Sequence, residues 1–436
     1  MSLNLKDIES EIVDQYFNDK NPRPWIIGFS GGKDSTMLLQ LVWNSIKIDG
    51  LQLFQKMRQI YVVCNNTLVE NPKIIEYTDE ILNNIEKAAV EQGLPIQVVR
   101  TRPKLEDSFW VNLIGKGYPA PNRVFRWCTD RLKIDPTTQF IKTKVDETGE
   151  VIILLGTRKD ESAKRAASIK KHSISNSRLR KHLLPNAYVF APIEDVTIDE
   201  LWQYLLQVPS PWGSNNKKLM SIYRNANSGD CPLVIDHTTP SCGNSRFGCW
   251  VCTVVDKDKS MEALIDHGEE WMEPLLEFRD LLAESRNNLE WRERTNAFGQ
   301  PNGGYLPPKR QLLLEKLLLT QKKIEVEQPE LKLINFQELV AIQKEWQNYK
   351  PKAEDEENEF TETVAEIYNR IYNKSFDALS SKEKNDEYEL AKNIFGEDFK
   401  AVQELLAVQQ TKTVLVKSRG LAQDLENKIE TISKTD

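Results

Sequence analysis

Residues 28–36 read GFSGGKDST, and their types suit one task, gripping phosphate. Glycines let a backbone turn tightly and aim its N–H groups at phosphoryl oxygens. Lys33 adds a full positive charge, Ser30 and Ser35 add hydroxyl donors, and Gly31 and Gly32 supply the bare backbone. Asp34 is the candidate magnesium ligand, directly or through water. The run is not a Walker A loop. That motif needs glycine where Ile27 stands, and Ser or Thr where Asp34 follows the lysine.

A second chemistry lies in the cysteines. Four of the six fall in one stretch, spaced Cys231-x10-Cys242-x6-Cys249-x2-Cys252; Cys64 and Cys128 stand apart. Clustering of this kind in a reducing compartment points to metal before disulfides. Four thiolates in one loop can wrap a tetrahedral ion or a cubane, and the Cys-x2-Cys arm lets two sulfurs face one metal. Zinc would want two paired arms and only one is present, so a [4Fe–4S] cluster is the first reading and zinc the second. Trp250 is placed to shield the site.

A third feature is charge. Arg158–Lys181 carries nine basic residues against Asp160 and Glu161. Lys164, Arg165, Lys170, Lys171, Arg178 and Arg180 are candidates to neutralise a polyphosphate track such as a nucleic-acid backbone, a binding that would weaken steeply with salt. A solvated helix face is the competing reading. The histidines, His172, His182, His237 and His267, are read as surface or satisfied core residues, none of them needed as a ligand.

These residues need elements to place them. Trp25–Phe29 reads as a buried strand feeding the glycine turn, with a helix from Ser35 through Trp43 after it. Gln59–Cys64, Ile96–Arg100 and Val151–Leu155 read as further strands. Pro72 opens a helix ending near Gly93, proline at the first turn and glycine past the last. After Gly156 another helix is expected. The alternation predicts an α/β fold, a doubly wound parallel sheet with helices on both faces. In such a sheet Asn65 and Asn66, at the end of the second strand, are candidates for adenine or ribose; a plain turn explains them equally. Val208–Thr253 reads as loop held by metal, and the chain beyond Met261 as helical, with Lys352–Glu359 a solvated linker. The expected divisions are 1–207 for the nucleotide-binding domain, 208–260 for the cysteine-rich metal loop and 261–436 for the helical C-terminal region.

Bulk properties narrow the field. With 436 residues, 40% apolar and 28% charged, the chain can bury a sizeable core. Mean hydropathy is −0.51. No run approaches a membrane span, and the acidic, amphipathic N-terminus lacks the pattern of a secretory signal; a cytoplasmic, non-membrane protein is expected. The net charge of −7 argues against a general coat for nucleic acid but leaves room for a local basic patch.

Three further segments join the phosphate loop: RVFRWCTDRLKIDP (residues 123–136), GTRKDESAKR (156–165) and FAPIEDVTIDELWQYL (190–205). SGGKDS resembles the PP-loop family of ATP pyrophosphatases, and the four segments together resemble its phosphoadenylylsulfate reductase branch over roughly residues 20–255. That resemblance implies an adenine nucleotide alpha hydrolase-like fold. It implies ATP held by Ser30, Gly31, Gly32, Lys33, Asp34, Ser35, Gly156 and Arg158, with Mg2+, and cleavage between the α- and β-phosphates. Lys33, Asp34 and Cys128 become the candidate catalytic residues. Cys128 stands where the branch has a cysteine before a basic pair, here Arg131 and Lys133, and such cations would lower its pKa. Family precedent also keeps open a cluster using Cys128 with Cys249, Cys252 and one of Cys231 or Cys242. Many iron–sulfur members have two adjacent cysteines at this point and this chain has one. The thioredoxin-dependent reductases use a C-terminal cysteine, and none follows Cys252.

With the cysteine loop and helical tail included, the chain resembles the sulfurtransferase subunits of bacterial DNA phosphorothioation, a restriction-modification chemistry. That likeness implies adenylation of a DNA backbone phosphate, then sulfur incorporation. The implied partners are a cysteine desulfurase as sulfur donor, the other DNA phosphorothioation subunits, and DNA. The alternatives are a phosphoadenylylsulfate or adenylylsulfate reductase and a non-catalytic DNA-binding scaffold subunit.

Overall fold

Short apolar runs become strands because both faces of the sheet are covered, so every position can be apolar. β1 (Trp25–Gly28) and β4 (Val151–Leu154) are buried at all four residues. β2 (Ile60–Asn65), β3 (Ile96–Thr101), β5 (Leu179–Lys181) and β6 (Ala187–Phe190) complete a six-stranded sheet in the order β3-β2-β1-β4-β6-β5. All neighbours pair parallel except β5 and β6, an antiparallel pair that the alternating pattern did not signal. The order reverses between β1 and β4. Their carboxyl ends therefore flank the crevice where a doubly wound sheet takes its ligand. The computed structural model describes residues 5–53, 57–161, 179–226, 248–295, 303–350 and 359–377, with Lys392 and Val402.

Alternation along the strands sorts side chains to the two faces. Trp25, Ile27, Ile60, Val62, Ile96 and Ile152 join one core, with helices α1 (Leu5–Phe17), α2 (Lys33–Leu53) and α3 (Pro72–Glu91) packed over it. Ile26, Val63, Val151 and Ile153 point the other way, onto Ile141 of α4 (Asp135–Thr148). Each fully buried large side chain contributes about 1.5–3 kcal/mol. The helix after the phosphate loop starts at Lys33, two residues before the sequence expectation, because Thr36 N–H already bonds to Gly32 C=O at 2.9 Å. α3 begins and ends as expected, with Asn71 accepting the Lys73 N–H and Gly93 in the left-handed region at φ +64°.

Two expectations change. After Gly156 the described residues form a 3-10 turn, Lys159–Glu161, and residues 162–178 lie outside the described set. The stretch expected as metal-held loop contains helix α6 (Asn216–Ala226), following α5 (Ile198–Gln207). Its polar sequence hides an inward face: Leu219 and Tyr223 are buried, and Asn216 donates to Gln40 Oε1 and Leu205 C=O at 2.8 and 2.9 Å.

The described residues beyond Met261 are mainly helical, as expected, in α7 (Lys259–Asp266), α8 (Glu273–Ser285), α9 (Pro307–Ile324), α10 (Phe336–Gln347) and α11 (Val364–Tyr372). α9 and α10 pack on a π-helical turn, Val111–Gly115, on the connection between β3 and β4. Contacts divide the chain into Met1–Ile367 and Tyr368–Asp436. Most of the expected linker at Lys352–Glu359 lies outside the described residues. No helix among the described residues is long and apolar enough to cross a membrane.

Candidate functional site

The phosphate loop sits where β1 ends and α2 begins. Gly31 takes φ +72°, which a glycine adopts without strain, and a Cβ there would lie 3.0 Å from Thr78 Oγ1. Ser35 Oγ accepts the Ser30 N–H at 3.3 Å and donates to Gly32 C=O at 3.0 Å, so one hydroxyl braces the turn from inside. Gly32 N–H reaches Ser30 Oγ at 3.4 Å. The helix start adds partial positive charge to the same spot.

Its charges are buried and paired. Lys33 Nζ meets Asp34 Oδ2 at 2.9 Å, and Arg158 Nε pairs with Asp34 Oδ1. Arg158 is 2% exposed and donates a further bond to Val196 C=O at 3.2 Å. Arg158, expected as a nucleotide ligand, thus reaches the loop through Asp34, and Asp34 carries an ion pair on each oxygen. Gly156 explains how the β4 end comes so close. A Cβ there would stand 2.9 Å from the Asp34 carbonyl carbon and oxygen, so only glycine fits without backbone movement.

Beside the loop a cleft of about 740 Å³, open to solvent, follows the carboxyl ends of β1, β2 and β3. Ser30, Asn65, Asn66, Arg100, Lys133 and Gly248 are among the residues that line it. Asn65 is committed to the frame: its Oδ1 accepts Thr101 and Thr137 hydroxyls, and its Nδ2 donates to Lys133 C=O at 3.3 Å. Asn66 Oδ1 accepts Leu68 N–H at 2.8 Å, closing a turn that holds Leu68 at φ +66°.

Glu70 and Gly248 of the lining adjoin the Cys249 segment. Glu70 and Cys249 form an antiparallel bridge, flanked by Asn71 N–H to Gly248 C=O and Trp250 N–H to Val69 C=O, each 3.0 Å. Cys252 N–H closes onto Cys249 C=O at 3.0 Å, giving the Cys-x2-Cys knuckle. Thr67 Oγ1 lies 3.4 Å from Cys249 Sγ. Cys128 sits on the helical turn Trp127–Thr129, ahead of a π-helical turn, Asp130–Ile134, that carries Lys133. Trp250, between the two cysteines of the knuckle, is 2% exposed and packs on Trp110 and Phe278 at 5.8 and 5.9 Å. Arg279, 1% exposed, donates to the carbonyls of Cys252 and Asp256 at 3.0 and 2.9 Å and to that of Val255.

Burial governs these thiols. It pushes Cys249 up to about 12, against the weaker pull of Lys133. Burial, then the nearby Cys252 and Cys249, holds the Cys128 thiol well above its ordinary range, and Lys133 opposes this only in part. The sequence expectation of a lowered pKa at Cys128 is therefore reversed. Arg131, counted among its cations, turns to Asp107 at 2.8 Å. Burial likewise raises Glu70, whose carboxylate accepts the Thr67 N–H.

Cys231 and Cys242 lie outside the described residues, as do Lys164, Arg165, Lys170, Lys171, Arg178, His172 and His237. Among the described residues no group of three or more His, Cys, Asp or Glu side chains is close enough to hold a metal ion. Arg180 is described: it lies on β5, 7% exposed, its guanidinium paired with Glu194. Thr67, Glu70, Arg279 and Tyr223 belong to the site and were not singled out in the sequence. Each acts through a contact distant along the chain, which spacing alone cannot show.

The profile of the phosphoadenosine phosphosulfate reductase domain matches residues 24–255. An uncharacterized protein of Methanocaldococcus jannaschii is 28% identical over 238 residues, covering 55% of this chain and 38% of its own length. The chain thus spans well under half of that curated relative. Phosphoadenylyl-sulfate reductase from Candida auris, solved as a phosphate complex, overlaps 51% of this chain and 93% of its own at 12% identity and a TM-score of 0.29. The U34-tRNA thiolase NcsA of Methanococcus maripaludis, solved with its [4Fe–4S] cluster, overlaps 65% of this chain and 78% of its own at 13% identity, again with a TM-score of 0.29.

Proposed function

The chain belongs to the phosphoadenosine phosphosulfate reductase domain family through the match over residues 24–255, and from that premise we propose that it cleaves ATP between the α- and β-phosphates to activate an acceptor for sulfur. The observation that carries this reading is that one cleft is lined both by Ser30 of the phosphate loop and by Gly248, next to Cys249 in the chain. The outer two phosphoryl groups bind the amides and hydroxyls at Ser30–Ser35, with Lys33 as counter-charge. An acceptor oxygen attacks the α-phosphorus in line and pyrophosphate leaves. Loop amides and Lys33 meet the charge that develops on the leaving group. Gly156 and Arg158 hold Asp34 in place, and magnesium, if Asp34 binds it, exchanges for one of that residue's two ion pairs.

Cys128, Cys249 and Cys252 would be the candidate ligands of a [4Fe–4S] cluster, with Cys231 or Cys242 as the fourth; as they stand the three described thiols are not drawn together closely enough to hold a metal ion. Burial keeps the Cys128 and Cys249 thiols protonated when free, and coordination to iron would remove that proton. A bound cluster supplies a site for holding or handing on sulfur. Trp250 and Trp110 exclude water there, and Arg279 fixes the knuckle. The terminal sulfur of a persulfide, delivered by a cysteine desulfurase, then attacks the activated acceptor and displaces AMP, and a thiol reductant cleaves the remaining S–S bond so that one sulfur stays on the acceptor and the donor leaves as a disulfide.

The finer reading makes the acceptor a DNA backbone phosphate and the protein a DndC-like sulfurtransferase subunit of DNA phosphorothioation, acting in the cytoplasm with the other subunits of that system. The basic residues Lys164, Arg165, Lys170, Lys171 and Arg178 in the sequence support it. The test is iron-reconstituted protein incubated with ATP, DNA, a persulfide donor and the partner subunits, followed by nuclease digestion and mass spectrometry. Phosphorothioate-linked dinucleotides are expected; sulfite formed from adenylylsulfate, with no sulfur on DNA, would point to the reductase instead.

A further inference from the structure

No phosphate-loop motif includes Tyr223, yet it lies directly against the loop. It sits on α6, 8% exposed. Its hydroxyl accepts the backbone N–H of Lys33 at 3.4 Å, and Lys33 Nζ lies 5.0 Å from its ring centroid. Trp202 meets the ring edge-on at 5.4 Å and fixes its plane. The Lys33 N–H opens α2, and helix-opening amides are the donors that take phosphoryl oxygens. Here that donor points at a hydroxyl. At 3.4 Å the bond is long and easily exchanged, and a phenol can switch from accepting to donating.

We propose that Tyr223 is a binding residue of the pyrophosphate pocket: its hydroxyl stands in for a phosphoryl oxygen at Lys33 N–H and donates to the outer phosphates when they enter. Its ring meanwhile steadies the Lys33 ammonium as that group leaves Asp34 for the ligand. The inference rests on reading the loop as a pyrophosphate cradle. It adds a side chain from α6 that anchors the outer phosphates.

Titration calorimetry on the full chain separates the possibilities, with inorganic pyrophosphate and AMP as probes and magnesium present throughout. Tyr223→Phe keeps the ring, the contact with Trp202 and the cation–π contact, and removes only the hydroxyl. It is expected to weaken pyrophosphate by about tenfold or more, as for a hydrogen bond to a charged group. AMP affinity and the melting temperature are expected to stay at wild-type values. Tyr223→Leu is expected to weaken pyrophosphate further. Equal or tighter pyrophosphate binding by Tyr223→Phe overturns the inference, as does an equal loss for both probes. A wild-type protein that binds AMP but no pyrophosphate removes the cradle reading and the inference with it.

Discussion

The phosphate loop draws nearly everything it needs from residues 28–36 and one strand end, whereas the thiol site draws on Thr67–Asn71, Cys128–Lys133, Cys249–Cys252 and Arg279. In the loop, neighbours in sequence are neighbours in space: Ser35 braces Ser30, and Lys33 pairs with Asp34. In the thiol site, the bridge from Glu70 to Cys249 closes a gap of most of the nucleotide domain. The loop is held by backbone geometry and buried ion pairs. The thiols are held by an aromatic core and one buried arginine. Two sites on one cleft can therefore fail independently, which is how they can be told apart.

The largest expected effect is on the loop. Lys33→Ala removes the only full charge the loop sends to the outer phosphates, and pyrophosphate release should fall by about a hundredfold or more. Iron content after anaerobic purification should be unchanged. Loss of both together would mean that the two regions fold as one and the comparison is wrong.

The converse is Cys249→Ser, which should lose iron, sulfide and sulfur transfer while pyrophosphate binding persists. Cys64→Ser serves as its control. Cys64 also lines the cleft, with burial pushing its thiol up to about 12, but it belongs to the β2 end and not to the knuckle. Iron should stay with the Cys64 variant.

Acidity reads the helical scaffold outside both sites. Glu338 caps α10, and burial pushes its carboxyl up to about 7. The folded state thus favours the protonated form. Its contribution is complete below the ordinary carboxylate pKa, declines as pH rises and is gone once pH passes about 7. The loss amounts to about 3 kcal/mol. Glu338→Gln should flatten this part of the stability curve in denaturant titrations. An unchanged slope in the variant would assign the pH dependence elsewhere.

The smallest effect is at Gly156. Its substitution by Ala drives a Cβ against the Asp34 backbone, and the fit should cost about 1–3 kcal/mol of stability. Pyrophosphate affinity should fall a few-fold, read by calorimetry. An unaltered affinity would mean that the β4 end does not shape the loop.

The contrast also governs what the chain discloses before folding. Strands β1 to β4 and helix α3 were legible because apolar runs, Pro72 and Gly93 are local signals. The loop was legible for the same reason. α6 was not, since Asn216–Lys218 look like loop residues until Gln40 and Leu205 give Asn216 its partners. The pKa of Cys128 was misread because Arg131 and Lys133 are near in sequence, while the enclosure that dominates is made by residues far along the chain. Arg180 looked like a surface cation until β5 turned it toward Glu194.

The central claim is the bond at which ATP is cut. ATP labelled on its γ-phosphate, incubated with the iron-loaded protein, its acceptor and magnesium, can be followed by chromatography of the labelled product. The label should appear in pyrophosphate, in step with AMP, and vanish in Lys33→Ala. Label in orthophosphate alongside ADP would place the cut one bond further out and contradict the account.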